Sequence, residues 1–431
     1  MLSPFELISL LLVLTAAFGW MNARLIGLPD TVGLLAMGLA ASLLLLATDL
    51  LFPATPLYEN LTGIIRQVDF QRTVLEGMLA FLLFAGALHV DISALRDRAW
   101  VVGCMATLGV LISTLIVGFG FWFLAGLAGV ALPLSWAFVF GALISPTDPV
   151  AVLSTLKAVR VPQSLELDMT GESLFNDGVG IVAFTIAMAF AAGAGEEAAG
   201  PGEVVALLLH EAAGGMLLGL VAGYAAYLAM KQIDNYPIEV LISLALVTGT
   251  YALASRLGMS GPLAMVVAGL LIGNRAPQHA ISDLTQHYLF SFWTLVDEIL
   301  NAVLFLLIGL EVLVLRPETL LQWLPVAAIL LVLAARFVSV ALSVTAMARW
   351  KRFVRGTIPV LTWGGLRGGI SVALALSIPE VTEKPTILAA TYTVVVFTIL
   401  VQGLTLRPLV KRTVRGPGRG AEPSSHAASG H

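Results

Sequence analysis

The chain consists largely of apolar stretches long enough to cross a lipid bilayer. A helix needs about 20 apolar residues to span the hydrocarbon core, because it rises only about 1.5 Å per residue. Numbered 1 to 13 in chain order, the candidate spans lie near residues 5–22, 31–48, 73–90, 101–128, 133–156, 167–192, 203–229, 237–255, 260–273, 288–314, 321–348, 357–378 and 386–407. The sequence therefore predicts an all-α polytopic membrane protein with about 13 transmembrane helices.

Composition supports this class of protein. Of the 431 residues, 58% are hydrophobic and 12% are charged, whereas about a quarter of a soluble domain is charged. The N-terminal apolar run has no basic segment before it and leads directly into further apolar stretches. We therefore interpret it as the first span and not as a cleaved signal peptide.

The basic residues of the loops predict the orientation. With an odd number of spans, the two termini lie on opposite sides of the membrane. If the N-terminus is outside, most of the 23 Lys and Arg residues fall in inside loops, as the positive-inside rule requires. Residues 1–412 would then form the membrane domain, and the Gly-, Pro- and Ser-rich residues 413–431 a short disordered cytoplasmic tail.

Five ionisable residues interrupt the apolar spans: Asp148, Glu172, Asp177, Arg336 and Arg367. A charge at the centre of a spanning helix costs about 2.5–3.5 kcal/mol on insertion scales, so each of them indicates a functional site. Three carboxylates and two guanidiniums leave one negative charge. Such a site favours a small cation or a proton.

Span 5 contains a proline-flanked acid. Pro146 and Pro149 bracket Thr147 and Asp148, and each proline frees a carbonyl on the preceding turn. An unwound segment with free carbonyls and a hydroxyl offers the oxygen ligands that a small cation requires. The alternative is a proline kink in which Asp148 only caps the next half of the helix.

Span 6 carries four polar side chains on one helical patch. Glu172 and Asn176 are four residues apart, as are Ser173 and Asp177, so all four emerge within about one turn. Two carboxylates this close cannot both remain ionised unless one has a counter-ion. We predict that Glu172 pairs with an arginine, while Asp177 binds either a proton or a cation. The alternative is a purely structural pair of acids.

Two arginines are available as counter-ions, and the sequence alone leaves open which of them pairs with Glu172. Arg336 lies on a regular apolar helix and would be stranded without a partner, so we favour it. Arg367 lies in a glycine-rich break and is expected to offset the carbonyl dipoles of the broken span 12, with Asp148 facing it.

Two further acids, Glu166 and Asp168, lie just before span 6 on the inside. We expect them to form a funnel that attracts cations.

Short sequence echoes indicate an internal repeat. Phe81–Val90 in span 3 resembles Phe305–Val312 in span 10, and Leu35–Leu39 in span 2 resembles Leu263–Leu270 in span 9. At a similar offset, the acid of span 5 falls opposite Gly364–Gly369 in span 12. The paired elements are seven spans apart, an odd number, so the two halves run in opposite directions. Inverted repeats with broken helices at matching positions are typical of secondary transporters.

Four segments resemble the signature segments of NhaP/NHE-type sodium/proton antiporters, a family of monovalent cation:proton antiporters. They are Ser145–Ala151, Gly171–Gly178, Phe305–Glu311 and Trp363–Ile370, in the family's order. The resemblance implies an NhaA-like antiporter fold with thirteen helices, crossed broken helices in spans 5 and 12, and a homodimer.

The same resemblance implies a division into domains. Core spans at about 101–192 and 321–407 would move against dimerisation spans at about 5–90 and 237–314. The span at 203–229 would link them.

The resemblance also assigns roles to residues. It implies that Asp177 binds the ion and the proton, with Asp148, Ser173 and Thr147 around Na⁺. Asn176 stands where electrogenic relatives have a second aspartate, which suggests electroneutral one-for-one exchange.

The structural ion pair of the family maps onto Glu172 and Arg336. On this resemblance, residues 413–431 are expected to form a short tail without the regulatory domains of animal exchangers.

The sequence thus predicts a multi-pass protein of the cell membrane that exchanges Na⁺ or Li⁺ for H⁺ and serves pH homeostasis. Its partners would be the bilayer, monovalent cations and protons, with no cofactor, no nucleic acid and no enzymatic activity. A K⁺/H⁺ antiporter of the same fold is the nearest alternative. A cation channel would need an open polar pore. An intramembrane aspartyl protease would use Asp148 and Asp177, but the Gly-x-Gly-Asp segment of those enzymes is missing from the sequence.

Overall fold

A computed structural model describes residues 3–51, 73–148, 152, 161–193, 201–311 and 322–414. Within these ranges every regular element is a helix. Most of the predicted tail, residues 415–431, lies outside the described residues, as do residues 149–151 and 153–156 of span 5.

Sixteen α-helices lie within the described residues. In the first half of the chain they are α1 Pro4–Met21, α2 Asp30–Leu51, α3 Leu79–Leu88, α4 Ile92–Cys104, α5 Val110–Leu127, α6 Leu134–Ile144 and α7 Gln163–Ala191. In the second half they are α8 Pro201–Met230, α9 Tyr236–Arg256, α10 Gly261–His279, α11 Asp283–Glu311, α12 Trp323–Met347, α13 Thr357–Trp363, α14 Gly369–Leu376, α15 Lys384–Phe397 and α16 Gly403–Thr413.

Within the described ranges, four π-helical turns extend or join these helices, namely Asn22–Ile26, Thr73–Met78, Met105–Gly109 and Thr398–Gln402.

Among the described residues, nine helical stretches are long and apolar enough to cross a membrane. The helix at Thr73–Leu88 and α6 are apolar but shorter. Large apolar side chains lie on the outer surface, among them Leu44 (66% exposed), Phe123 (61%) and Leu330 (71%). Such surfaces suit lipid, because contact with water would oppose their exposure. The chain is therefore an all-helical, multi-pass membrane protein, while the count of thirteen spans stays a prediction.

Polar caps define several helix starts. The Ser3 hydroxyl accepts a hydrogen bond from the Glu6 amide at 3.3 Å, and the Glu6 carboxylate accepts one from the Ser3 amide at 2.6 Å. The side chains of Asn235 and Ser260 cap α9 and α10, and each is followed by a proline in the first turn. These caps occupy amides that have no partner inside the helix.

Glycines bring two pairs of helices into backbone contact. α2 packs against α11 where Gly38 meets Gly309, and a Cβ on Gly309 would lie 2.7 Å from the Leu35 carbonyl oxygen. α3 packs against α10, and a Cβ on Gly269 would lie 2.7 Å from the Phe84 carbonyl oxygen. In the repeat proposed from the sequence, α2 corresponds to α10 and α3 to α11. The contact of α2 with α11 in one half is therefore equivalent to the contact of α10 with α3.

Helices α4, α6 and α10 pack against α7. α6 packs between α5 and α7, while α12 packs against α5 and α15. The end of α6 and the gap between α13 and α14 meet beside α7. This meeting point brings together the charged residues that interrupt the apolar sequence.

Candidate functional site

The first component of the site is the end of α6. The helix stops at Ile144, and Ser145–Asp148 are not helical. Pro146 has no amide hydrogen, so it cannot continue the helical hydrogen bonding. Ser145 donates from its hydroxyl to the Gly141 carbonyl at 2.7 Å. The carbonyls of Ser145 and Pro146 therefore point away from the helix ladder and are available to other partners.

The second component is the gap between α13 and α14. Residues Gly364–Gly368 are not helical. A Cβ on Gly365 would lie 2.6 Å from Nε of Arg336, and a Cβ on Gly368 would collide with the carboxylate of Asp148. Glycine is needed at both positions, because it lets charged side chains approach the backbone closely.

The two non-helical segments contact each other directly. The Asp148 amide donates to the Leu366 carbonyl at 2.8 Å. Arg367 donates from one Nη to the carbonyls of Ser145 at 2.5 Å and Pro146 at 2.8 Å. Arg367 is 1% exposed, so its charge lies wholly within the protein.

The contacts of Arg367 differ from the sequence expectation in one respect. We expected its charge to offset the carbonyl dipoles of its own span 12. The carbonyls that it contacts belong to the end of α6, which corresponds to the predicted span 5. A guanidinium is favourable there because carbonyls at the C-terminal end of a helix carry partial negative charge.

The polar patch of α7 faces the same point. Asn176 donates from its side-chain nitrogen to the Thr147 hydroxyl at 2.8 Å, and its oxygen accepts from the Thr147 amide at 3.4 Å. The Ser173 hydroxyl donates to the Thr147 carbonyl. A Cβ on Gly180 would collide with the ring of Pro146, so glycine permits this close approach. Helix α7 and the end of α6 thus form one polar unit.

Asp177 lies on the same face of α7, four residues after Ser173. Its side chain is buried, with 8% exposure, and it interacts electrostatically with Asp148. Among the described residues, no donor makes a hydrogen bond to the Asp177 carboxylate. Two neighbouring acids beside hydroxyl and carbonyl oxygens can bind a small cation or share a proton.

Glu172 and Arg336 form a buried ion pair with two contacts. Nη1 of Arg336 meets Oε1 of Glu172, and Nη2 donates to Oε2 at 2.9 Å. The side chains are only 2% and 6% exposed, respectively. Arg336 also donates from Nε and Nη2 to the Leu361 carbonyl at 3.2 and 3.1 Å. One guanidinium therefore joins α12, α7 and α13.

A second buried ion pair was not expected. Arg98 of α4 donates from Nε and Nη2 to the two carboxylate oxygens of Asp168, at 2.5 and 2.6 Å. Asp168 is 1% exposed, so the expectation that it lies in an open cation funnel is wrong. It lies four residues before Glu172 and therefore on the same face of α7. That spacing was a signal in the sequence that we did not use.

Two polar residues of the last span were also missed. Thr398 and Gln402 are almost fully buried and contact the gap between α13 and α14. Their signal in the sequence was a pair of polar residues four apart within an apolar run.

Comparison with known proteins gives concordant results. The family model described as "Sodium/hydrogen exchanger, transmembrane" matches residues 11–412. The chain is 44% identical over 420 residues to the Na⁺/H⁺ antiporter NhaP of Pseudomonas aeruginosa, covering 95% of this chain and 97% of that protein. It is 38% identical over 396 residues to the Na⁺/H⁺ antiporter NhaH of Halobacillus dabanensis, covering 90% of this chain and 93% of that protein.

Among solved structures, the sodium proton antiporter MjNhaP1 of Methanocaldococcus jannaschii at pH 8 matches with a TM-score of 0.72. The two chains are 21% identical, and the match covers 95% of this chain and 98% of that one. At this level of identity, the likeness shows a shared fold.

Proposed function

The chain belongs to the sodium/hydrogen exchanger family, and from that premise we propose that it exchanges Na⁺ or Li⁺ for H⁺ across a cell membrane. The observation that carries the proposal is the buried carboxylate of Asp177 on the same helix, α7, whose Ser173 and Asn176 side chains contact Thr147 at the end of α6. The named relatives are antiporters, so the proposed activity is transport, with the ions as cargo. We propose no enzymatic step and no cofactor.

The proposed mechanism is competition at one acid. Asp177 binds either a cation or a proton, while Asp148, Thr147 and Ser173 supply further oxygens to the cation. Because the two ligands exclude each other, the release of one on each side of the membrane permits the binding of the other. Alternating access then converts this competition into exchange.

The proposed stoichiometry is one cation for one proton. Asn176 is a neutral amide, and both of its polar ends are engaged by Thr147. This leaves Asp177 as the acid of α7 that carries the exchange. One-for-one exchange of monovalent cations moves no net charge.

We also propose that spans 5 and 12 are crossed, discontinuous helices within thirteen spans arranged as inverted repeats. The hydrogen bond from the Asp148 amide to the Leu366 carbonyl supports a crossing at the two breaks. The corresponding glycine contacts of α2 with α11 and of α3 with α10 support the repeat.

We propose a division into a moving core and a dimerising scaffold, and the same contacts support it. The Glu172–Arg336 ion pair and the contacts of Arg367 join helices from the ranges 101–192 and 321–407. The glycine contacts join helices from the ranges 5–90 and 237–314. We propose that the scaffold forms a homodimer, that the span at 203–229 links the two parts, and that the C-terminus is cytoplasmic.

The experiment uses purified protein in liposomes that contain a pH-sensitive dye. Na⁺, Li⁺, K⁺ and an impermeant cation are added in turn to the wild type, to Asp177→Asn and to Glu380→Gln, a matched loss of charge at a side chain that is 91% exposed. We expect Na⁺ and Li⁺ to drive proton movement in the wild type and in the Glu380 variant, but not in Asp177→Asn.

Three results would change the proposal. Flux driven only by K⁺ would correct the identity of the cation. Cation-driven flux that persists in Asp177→Asn would remove the role of that residue. Absence of flux with every cation would contradict exchange itself.

A further inference from the structure

The π-helical turn Thr398–Gln402 contacts both ends of the gap between α13 and α14. The Thr398 hydroxyl accepts a hydrogen bond from the Arg367 amide at 3.1 Å. The Gln402 side-chain nitrogen donates to the Trp363 carbonyl at 2.9 Å. Trp363 is the last residue of α13, and Arg367 lies two residues before α14 begins. Two side chains from one turn therefore bracket the non-helical residues.

Both contacts satisfy backbone groups that no helix can satisfy. The last carbonyls of α13 and the amides that precede α14 have no partner within those helices. Thr398 and Gln402 are 2% and 0% exposed. Bulk water therefore cannot take the place of these two side chains as the hydrogen-bond partner of the backbone groups. The Thr398 hydroxyl donates its own hydrogen to the Val395 carbonyl at 3.0 Å. Its oxygen is therefore free to accept from Arg367.

The residues of the gap, Leu366 and Arg367, contact the end of α6 at the proposed ion site. Thr398 holds the amide of Arg367, and the guanidinium of Arg367 contacts the end of α6. The preceding residue, Leu366, accepts the hydrogen bond from the amide of Asp148. A shift of the gap by a fraction of an ångström would therefore move an acid that we propose as a cation ligand.

The local geometry of the last span is itself irregular. Thr398–Gln402 is a π-helical turn with a hydrogen bond from the Gly403 amide to the Thr398 carbonyl. Single π turns inside α-helices occur frequently at functional sites. This turn lies at the part of the last span that contacts the gap.

We propose that Thr398 and Gln402 are positioning residues that fix the shape of the gap and thereby set the affinity and selectivity of the cation site. The inference rests on the proposed function, because it concerns the same site. Neither side chain is proposed to contact the cation. Their effect is transmitted through the backbone of Leu366 and Arg367.

The test compares variants that differ in one polar contact. Thr398→Val removes the acceptor and keeps the shape of the side chain, whereas Thr398→Ser keeps the hydroxyl. Gln402→Met removes the donor with little change in length. The matched control is Thr391→Val, because Thr391 is also fully buried but donates to the Ile387 carbonyl of its own helix, at 2.8 Å.

The measured quantities are the half-saturating Na⁺ concentration, the maximal rate and the ratio of Na⁺ to Li⁺ transport in liposomes. We expect Thr398→Val and Gln402→Met to raise half-saturating Na⁺ by about fivefold or more, because each leaves a buried backbone group unpaired. Thr398→Ser should restore most of the affinity. Thr391→Val should leave both the affinity and the cation ratio as in the wild type.

Several outcomes would overturn the inference. An active wild type with the same half-saturating Na⁺ in Thr398→Val and Gln402→Met would contradict it and leave the proposed exchange intact. An equal effect of Thr391→Val, or a loss of folding in both test variants, would assign the two side chains to stability alone. A wild type with no cation-driven flux would instead contradict the proposed function.

Discussion

Replacement of Glu172 by glutamine is expected to destabilise the protein strongly through Arg336. Glutamine has nearly the same shape, so the change leaves no cavity. It removes the only negative charge that contacts the Arg336 guanidinium among the described residues. The two hydrogen bonds from Arg336 to the Leu361 carbonyl remain. The guanidinium would then be a buried cation held by neutral oxygens.

The magnitude follows from the burial of both partners. Removal of one member of a buried ion pair costs about 3–5 kcal/mol, because the remaining charge stays desolvated without its partner. Glutamine keeps one oxygen that can accept from Arg336, and Leu361 keeps its contacts. We therefore expect a loss near the lower limit, about 3 kcal/mol.

The assay is thermal unfolding of purified protein in detergent, compared with Glu380→Gln. Glu380 pairs with Lys384 at 2.7 Å but is 91% exposed, and surface pairs of this kind contribute little to stability. We expect a clearly lower melting temperature for Glu172→Gln and none of this loss for Glu380→Gln. The double variant Glu172→Gln/Arg336→Met should recover part of the loss, because no buried charge is left unpaired.

A melting temperature equal to that of the wild type in Glu172→Gln would refute the reasoning. So would an equal loss in Glu380→Gln, since it would show that removal of any carboxylate has this effect.

Other predictions concern the second ion pair, the glycine contacts and the stoichiometry. Asp168→Asn should lower the melting temperature less than Glu172→Gln, because its partner Arg98 is 14% exposed and can be partly solvated; a larger loss would contradict this. Gly309→Ala should destabilise by about 1–3 kcal/mol in the same assay, because its Cβ would overlap backbone atoms. Gly249→Ala should not, since no atom beyond its chain neighbours and the backbone of its own helix lies within 4 Å of a Cβ there. One-for-one exchange predicts a transport rate that does not respond to an imposed membrane potential, and a voltage-dependent flux would exclude it.

Hydropathy predicted the positions of the helices well because every span must be apolar across the hydrocarbon core of the bilayer. The predicted windows at 167–192 and 321–348 differ from α7 and α12 by a few residues. The predicted helix ends were less accurate where a helix continues beyond its apolar part. α11 begins at Asp283, before the window at 288–314, because residues 283–287 are mostly polar but helical.

Helical spacing predicted which side chains share one face of a helix, but it did not identify the residues of other helices that contact that face. Ser173 and Asn176 do reach the same residue, Thr147, whereas their role in ion binding stays a prediction. The carbonyls that Arg367 reaches lie more than 200 residues away in the sequence. Likewise, the sequence did not predict the pairing of Arg98 with Asp168, because periodicity within a helix carries no information about its neighbour.

The balance of buried charges near the end of α6 and the gap between α13 and α14 has a consequence for uncoupled ion movement through an exchanger. In the part of the chain that the structure describes, α7, the helices that pair with it and the two non-helical segments carry four carboxylates and three guanidiniums, namely those of Asp148, Asp168, Glu172, Asp177, Arg98, Arg336 and Arg367. In the proposed mechanism, one bound monovalent cation or one proton would make this group neutral. Movement of an uncompensated charge through low-dielectric surroundings is costly. In the proposed mechanism, the empty carrier would therefore cross rarely and the two loaded carriers readily, and this electrostatic cost would suppress slippage that dissipates an ion gradient.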